Sequence, residues 1–412
     1  MNHILRPLKN VQFCSSSRKA KILNAGIHRV FRGLKFESDA EIGQKGAFCK
    51  GLILLTIDVE DWFQVENFKQ WIPFSSWSSY KLRVEKNTHQ LLDLLDSQQS
   101  AISGQRSVST NSTSPDNVSD SFRQRRIALS QFHPRLLSPG TGGQEETEKK
   151  EKSRKSRKSC LRKSSPKATF FVLGWIAERL PNLVREIRNR GHEVASHGYN
   201  HCLCNQQSYK DLEKDLEDSK KLLEDITGHK VYGYRAPSFA INNDILKIIE
   251  DCGYLYDSSY NSFALHERYG QVDFSQNDRK GIAIQIADPR PPTPDHRFYE
   301  LPISNLKFKI KNLQLPWGGG GYFRLIPLSI FKKGVKSILN NYKAYIFYMH
   351  PWEIDSQQPH LKEASSFFKF RHYVNLHKNA SKLSSFIKYF SKSQFVTCHN
   401  YLTQLDLEAG KR

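Results

Sequence analysis

From Gly51 onward, short apolar runs and amphipathic stretches take turns along the chain. Leu52 to Ile57, in "GLILLTID", is an unbroken series of apolar and β-branched residues, and "KATFFVLGWIA" (167–177) is a second. Runs of this length without alternation predict strands covered on both faces. Between and after them lie stretches with apolar residues at helical spacing: "NTHQLLDLLDSQ" (87–98), with Asn87 as a candidate N-cap, "LPNLVREIRNRG" (180–191), "SYKDLEKDLEDSKKLLEDITG" (208–228) and "NDILKIIEDCG" (243–253). The last three end on glycine, a helix stop. "HEVASHG" (192–198), "VYGYRAPSF" (231–239), "YLYDSS" (254–259) and "KAYIFYMHPWEID" (343–355) supply further strands. Alternation of this kind predicts an α/β fold whose parallel strands gather their C-terminal ends on one face.

Two segments break the pattern. Residues 1–50 carry ten Lys and Arg against three acids, and residues 97–167 carry fifteen against six. Together they account for most of the net charge of +21. The stretch 97–166 is rich in Ser, Lys, Arg and Gly and lacks periodic apolar content, so it cannot offset its own chain entropy. We expect a basic N-terminal extension at 1–50, a catalytic domain over 51–400 interrupted by a low-complexity insertion at 97–166, and a C-terminal tail at 401–412. A basic excess confined to such segments argues against a specific nucleic-acid partner. Seven scattered cysteines without a CxxC pair fit a reducing compartment, and no apolar run reaches transmembrane length, so the expectation is a cytoplasmic protein without a membrane span.

Polar residues collect where the strands finish. Asp58, Glu60 and Asp61 follow the first, His197 and His201 the third, Arg235 the next, Asp257 another, and His350 the last. Taken singly each has a bland reading: HxxxH is often a coincidence of one helical face, and DxED can be a capping cluster. Five successive strand ends carrying acids, histidines and one arginine suit metal-assisted hydrolysis. Two histidines and a carboxylate are a common ligand set for zinc. The metal polarises a carbonyl and activates water, a second carboxylate acts as base, and an opposing histidine protonates the leaving nitrogen.

"TIDVEDWF", "KATFFVLGW", "GHEVASHGYNH", "GYRAPSF", "YDSS" and "HPWEID" together resemble the motif series of NodB-type polysaccharide deacetylases, carbohydrate esterase family 4. "GGGYFRL" (319–325) and "FRHYVNL" (370–376) resemble the branch associated with exosortase and exopolysaccharide loci. The similarity covers about Gly51 to Asp96 and Lys167 to roughly Phe395. It implies a distorted (β/α) barrel with fewer than eight units, one divalent ion (zinc first), and N-deacetylation of an acetylated amino-sugar polymer or oligosaccharide. It assigns the base to Asp58, metal ligation to His197 and His201, bracing of the base to Arg235, the general acid to His350, and an oxyanion donor to the Ser238 backbone. Asp257 would orient His350. Most members have adjacent aspartates in the first motif, whereas Val59 follows Asp58 here. Strand alternation then favours Glu60 as the carboxylate ligand, with Asp61 the alternative if the strand has already turned. In "LPWGGGGYFRL" the glycines offer close approach to a ligand, and Trp317, Tyr322 and Phe323 offer faces for sugar stacking. The rival readings are an amidase of the same fold acting on a small amide, and a catalytically dead carbohydrate-binding protein.

Overall fold

The computed structural model describes residues 51–103, 165–263, 271–286, 297–308 and 313–409. Residues 1–50 and 104–164 lie outside the described residues, and with them the N-terminal extension and most of the expected insertion. β1 (Leu52–Val59) is buried along nearly its whole length. α1 (Val84–Ser103) leads away from it, and β2 (Ala168–Val172) begins after the undescribed segment. There follow α2 (Gly174–Arg179), α3 (Pro181–Asn189), β3 (Glu193–Ser196), α4 (Tyr209–Thr227), β4 (Gly233–Tyr234), α5 (Asn243–Asp251) and β5 (Tyr256–Asp257). The C-terminal part holds β6 (Asp278–Lys280), β7 (Ala283–Gln285), β8 (Tyr299–Glu300), β9 (Asn305–Phe308), β10 (Leu313–Pro316), α6 (Gly320–Leu325), α7 (Leu328–Tyr342) and β11 (Ala344–Met349). α8 (Ser366–Tyr373), α9 (Leu376–Tyr389), β12 (Gln394–Phe395) and α10 (Cys398–Ala409) complete it.

The main sheet runs β11-β1-β2-β3-β4-β5-β8-β7-β6, with β12 pairing the start of β1 beside β2. From β11 to β8 every pairing is parallel, and β7 and β6 add an antiparallel edge. The sheet does not close: β11 and β6 end the strand order without pairing one another. This is the distorted, incomplete barrel expected from the sequence. Because the strands from β11 to β8 are parallel, their C-terminal ends lie at one edge of the sheet, where the loops after β1, β3, β4 and β11 meet. No helix among the described residues is long and apolar enough to cross a membrane.

Local sequence explains several helix limits. Ser208 and Asn242 cap α4 and α5 by accepting from Asp211 N and Ile245 N. α4 ends at Gly228, whose φ of 69° lets its N–H reach Glu224 O. Three boundaries differ from expectation. α1 starts before Asn87, which sits inside the helix and donates from Nδ2 to Asp355. The same helix runs to Ser103, past the expected start of the insertion at 97. The expected tail from 401 is largely helix, with Tyr401 and Leu402 buried against Ile282, Ala283 and Tyr256 in one apolar cluster.

Candidate active site

β1 delivers its acids through a tight turn, in which Glu60 N–H donates to Asp58 O at 2.9 Å. Asp58 and Glu60 are both buried and both face the cleft. His197 follows β3 directly, held by its N–H on Val172 O. His201 reaches the same point without a helix. Gly198 (φ 73°) and His201 itself (φ 57°) take left-handed conformations that fold "HGYNH" back on itself. Such a φ is costly for a non-glycine residue and persists where surrounding contacts over-determine it. The two histidines expected at the end of the third strand are brought together by a strained turn. Glu60 Oε1 lies 3.1 Å from His197 Nε2, 3.4 Å from His201 Nε2 and 3.5 Å from His350 Nε2.

His197 Nδ1 donates to Arg235 O at 2.7 Å. Its Nε2 faces the Glu60 carboxylate at 3.1 Å, so a nitrogen and an oxygen able to ligate a cation stand side by side. Zinc bonds of about 2.0–2.1 Å in a tetrahedral set put donor atoms about 3.4 Å apart, close to the spacings seen. The donor chemistry of Glu60, His197 and His201 therefore fits a divalent ion. Burial opposes the Glu60 charge, but His201, His350 and His197 outweigh it and hold the carboxyl well below its usual range.

Arg235 leaves β4 fully buried. Its Nη1 donates to Asp58 Oδ1 at 2.6 Å and to Thr56 Oγ1 at 2.8 Å, while Nε and Nη2 hold Ser258. The face of Phe171 lies 4.1 Å beneath the guanidinium. Every arm of Arg235 is occupied, so Asp58 is fixed through one oxygen and its Oδ2 is left toward His350 Nε2, 3.9 Å away. Three and four residues on, Ser238 and Phe239 both adopt positive φ (53° and 61°) and line the same cleft.

His350 ends β11 on the opposite wall. Its Nδ1 pairs with Glu353 Oε1 at 2.9 Å, one 3-10 turn further along. Glu353 is buried and its Oε2 accepts from Arg324 Nε at 2.8 Å. Arg324 spends its remaining donors on the carbonyls of Arg371, His372 and Val374. Burial disfavours charge on His350, yet Glu60, Glu353 and Asp58 outweigh it and raise the imidazole to about 9. The ring also stacks on Trp352 at 5.1 Å.

Several expected site residues lie elsewhere. Asp61 is not at the cluster: Oδ2 accepts from Arg83 N and Val84 N at the start of α1, and Oδ1 from Trp62 N. The chain has turned by Asp61, so the side chain caps a helix. Asp257 does not reach His350. Its two oxygens bond Ser259, and burial raises both its carboxyl and that of neighbouring Glu300. Glu353 takes the orienting place instead. Trp317 is fully buried, donates to Phe331 O and stacks on Phe331. Phe323 is also core, and Tyr322 packs edge-on against Phe263. From that stretch Gly321 and Arg324 line the cleft. Gly318, Gly319 and Gly320 accommodate the protein's own groups, a Cβ on Gly320 colliding with the Glu353 carboxylate, whereas Gly321 has open space beside it on the cleft side. Glu353 and Arg324 carried no signal of their own in the sequence beyond sitting inside "HPWEID" and "GGGYFRL".

Comparison with known proteins finds polysaccharide deacetylases among the relatives. Residues 153–256 match the polysaccharide deacetylase family model, and residues 258–403 match DUF3473, a domain of unknown function. A peptidoglycan-N-acetylglucosamine deacetylase of Bacillus cereus is 34% identical over 94 residues, 23% of this chain and 44% of that protein. A chitooligosaccharide deacetylase of Azorhizobium caulinodans is 31% identical over 94 residues, 23% of this chain and 45% of its own length. The chain thus spans less than half of the curated relatives it matches. Among solved structures, a family 4 carbohydrate esterase from Streptomyces lividans in complex with acetate aligns over 84% of this chain and 92% of its own at 11% identity, with a TM-score of 0.35. That score is too low to carry an argument. The polysaccharide deacetylase match thus holds His197, His201 and Arg235, and the DUF3473 match that follows it holds Arg324, His350 and Glu353.

Proposed function

We propose that this protein is a metal-dependent hydrolase that removes N-acetyl groups from amino-sugar residues of a polysaccharide or its precursor. The observation that carries the reading is the meeting of Glu60, His197 and His201 within one cleft with Asp58–Arg235 on one side and His350–Glu353 on the other. Glu60, His197 and His201 would hold one divalent ion, zinc first. When bound, such an ion supplies Lewis-acid polarisation of the amide carbonyl and favours ionisation of water.

The chain's own groups divide the proton work. Asp58 takes a proton from the attacking water through its free Oδ2, while Arg235 holds the other oxygen and keeps the carboxylate aimed. The Ser238 backbone N–H stands where oxygen charge develops. As the carbon–nitrogen bond breaks, His350 Nε2 gives its proton to the departing nitrogen, leaving acetate and a free amine. Glu353 holds Nδ1, which fixes the ring and supports its charged form.

Membership in exopolysaccharide or cell-envelope biosynthesis is supported by the C-terminal motifs of that branch. A cytoplasmic location is supported by the four described cysteines, all of them free thiols. We further propose that 1–50 is an appendage and that the segment beyond α1 is an insertion into one catalytic domain. Acetate release from N-acetylhexosamine oligomers, measured with and without chelator, tests the function. Release that chelator abolishes and zinc restores is the expected result, and no release from any oligomer by zinc-loaded protein would overturn it. Metal analysis should find about one equivalent, lost in the His197→Ala/His201→Ala double variant.

A further inference from the structure

Three arginines line the cleft or stand behind it, and two of them are answered by acids. Arg235 is neutralised by Asp58 at 2.6 Å and Arg324 by Glu353 at 2.8 Å. The third, Arg371, lines the same cleft, and among the described residues no carboxylate lies within salt-bridge reach of it. Its peptide is nevertheless held firmly. Arg371 O accepts from Arg324 Nη2 at 3.0 Å, Arg324 Nε donates to Glu353, and Glu353 holds His350. The arginine without an acid is therefore tied to the proton-delivering histidine by three consecutive links. Its guanidinium sits 5.6 Å from the ring centre of Phe367, which is half exposed in the same helix, α8.

A solvated arginine on an open surface needs no explanation. One whose backbone is anchored in the cleft wall, and whose guanidinium stands near an exposed aromatic at the cleft's border, has the form of a binding group. We propose that Arg371 and Phe367 form a subsite for an anionic oxygen group, a carboxylate or a phosphate, carried by the substrate next to the acetylated amino sugar. The planar guanidinium offers parallel donors that match either group in bidentate fashion. The Phe367 ring offers an apolar face to the sugar bearing it. The substrate class becomes an acidic rather than a neutral amino-sugar polymer. This rests on the deacetylase reading and adds to it.

The test uses the full zinc-loaded chain in an Asp58→Asn background, so that binding is read without turnover. Three oligosaccharides of equal length are titrated calorimetrically: neutral N-acetylglucosamine units, the same with alternating uronic acids, and the same with a phosphate on the end sugar. At least one anionic probe should bind about tenfold tighter than the neutral one, the size of one good charge-assisted contact. That ratio should fall to near one in Arg371→Gln, be partly kept in Arg371→Lys, and shrink at about 0.5 M salt. Which anionic arm shows the gain names the group. Equal affinity for all three probes in the parent, or an unchanged ratio in Arg371→Gln, overturns the proposal. Failure of the deacetylase reading shows up separately, as no acetate release from any of the three by protein with Asp58 intact.

Discussion

Two buried arginine–carboxylate pairs flank the cleft, Arg235–Asp58 on the β1/β4 side and Arg324–Glu353 on the β11 side. Their chemistry is alike and their consequences differ. Arg235 occupies one oxygen of Asp58 and leaves the other facing the cleft, so the carboxylate can still accept a proton. Arg324 occupies one oxygen of Glu353 and His350 the other, so that carboxylate has nothing left to offer a substrate and serves to position. Where an ion pair's spare oxygen points, more than the pair itself, separates a reacting group from a supporting one. The anchoring differs as well. Arg235 is tied to Thr56 within β1 and Ser258 just past β5, whereas Arg324 gathers the carbonyls closing α8, a role that suits a cation at a helix C-terminus.

The comparison is most sharply broken at Asp58. Asp58→Asn should lower kcat by about a thousandfold or more while metal content stays at one equivalent, because the amide fills the space but takes no proton. A variant that loses its metal along with its activity would show Asp58 to be a ligand instead. Next in size, Arg324→Met strands the Glu353 charge in the interior and should cost about 3–5 kcal/mol in urea unfolding. Adding Glu353→Leu should return part of that loss. No recovery would mean that the carbonyl contacts to 371–374, and not the ion pair, carry the stability.

Glu353→Gln addresses the positioning role. It should reduce amide turnover by about 10–100-fold and spare an activated acetyl ester, whose leaving group needs no proton. Equal losses on both substrates would place Glu353 in packing alone. The smallest effect concerns a contrasting histidine. His192, just before β3, is fully buried, and burial, Lys167 and Arg190 push it down to about 3. It stays neutral in the fold while the unfolded residue takes a proton below about 6.5, so stability is present above that pH and is lost as pH falls from 6.5 toward 3. Between pH 7 and 5.5 its share of the loss is about 1 kcal/mol. His192→Gln should flatten the urea-midpoint profile over that window, and an unchanged slope would assign the acid sensitivity elsewhere.

The alternation of apolar strand and amphipathic helix was enough to place Asp58, Glu60, His197, Arg235 and His350 at one edge of the sheet. A parallel sheet sends every strand's C-terminal end to the same side, and residues just past those ends inherit that address. Strand alternation expected Glu60 beside Asp58, and Glu60 does line the cleft with it, but it is brought there by the turn that Glu60 N–H closes on Asp58 O. Three assignments were beyond that logic. Asp61 lies one residue past Glu60, and only the arrival of α1 reveals that both its oxygens are spent on backbone N–H groups. Trp317 and Phe323 are as apolar as any sugar platform, and only packing against Phe331 decides that they face inward. Asp257 ends a strand as expected but meets Ser259 and Glu300 before it can meet His350.

What the sequence determined by itself was therefore the class of fold and the side of the sheet on which chemistry happens, since both follow from local periodicity. Which carboxylate steadies His350, which arginine holds that carboxylate, and which arginine is left over were decided by tertiary structure. Arg324 reaches Glu353 across 29 positions and the carbonyls of Arg371, His372 and Val374 across 47 to 50. Contacts of that separation depend on how α6, α8 and β11 pack together, and no repeat within a single element encodes them.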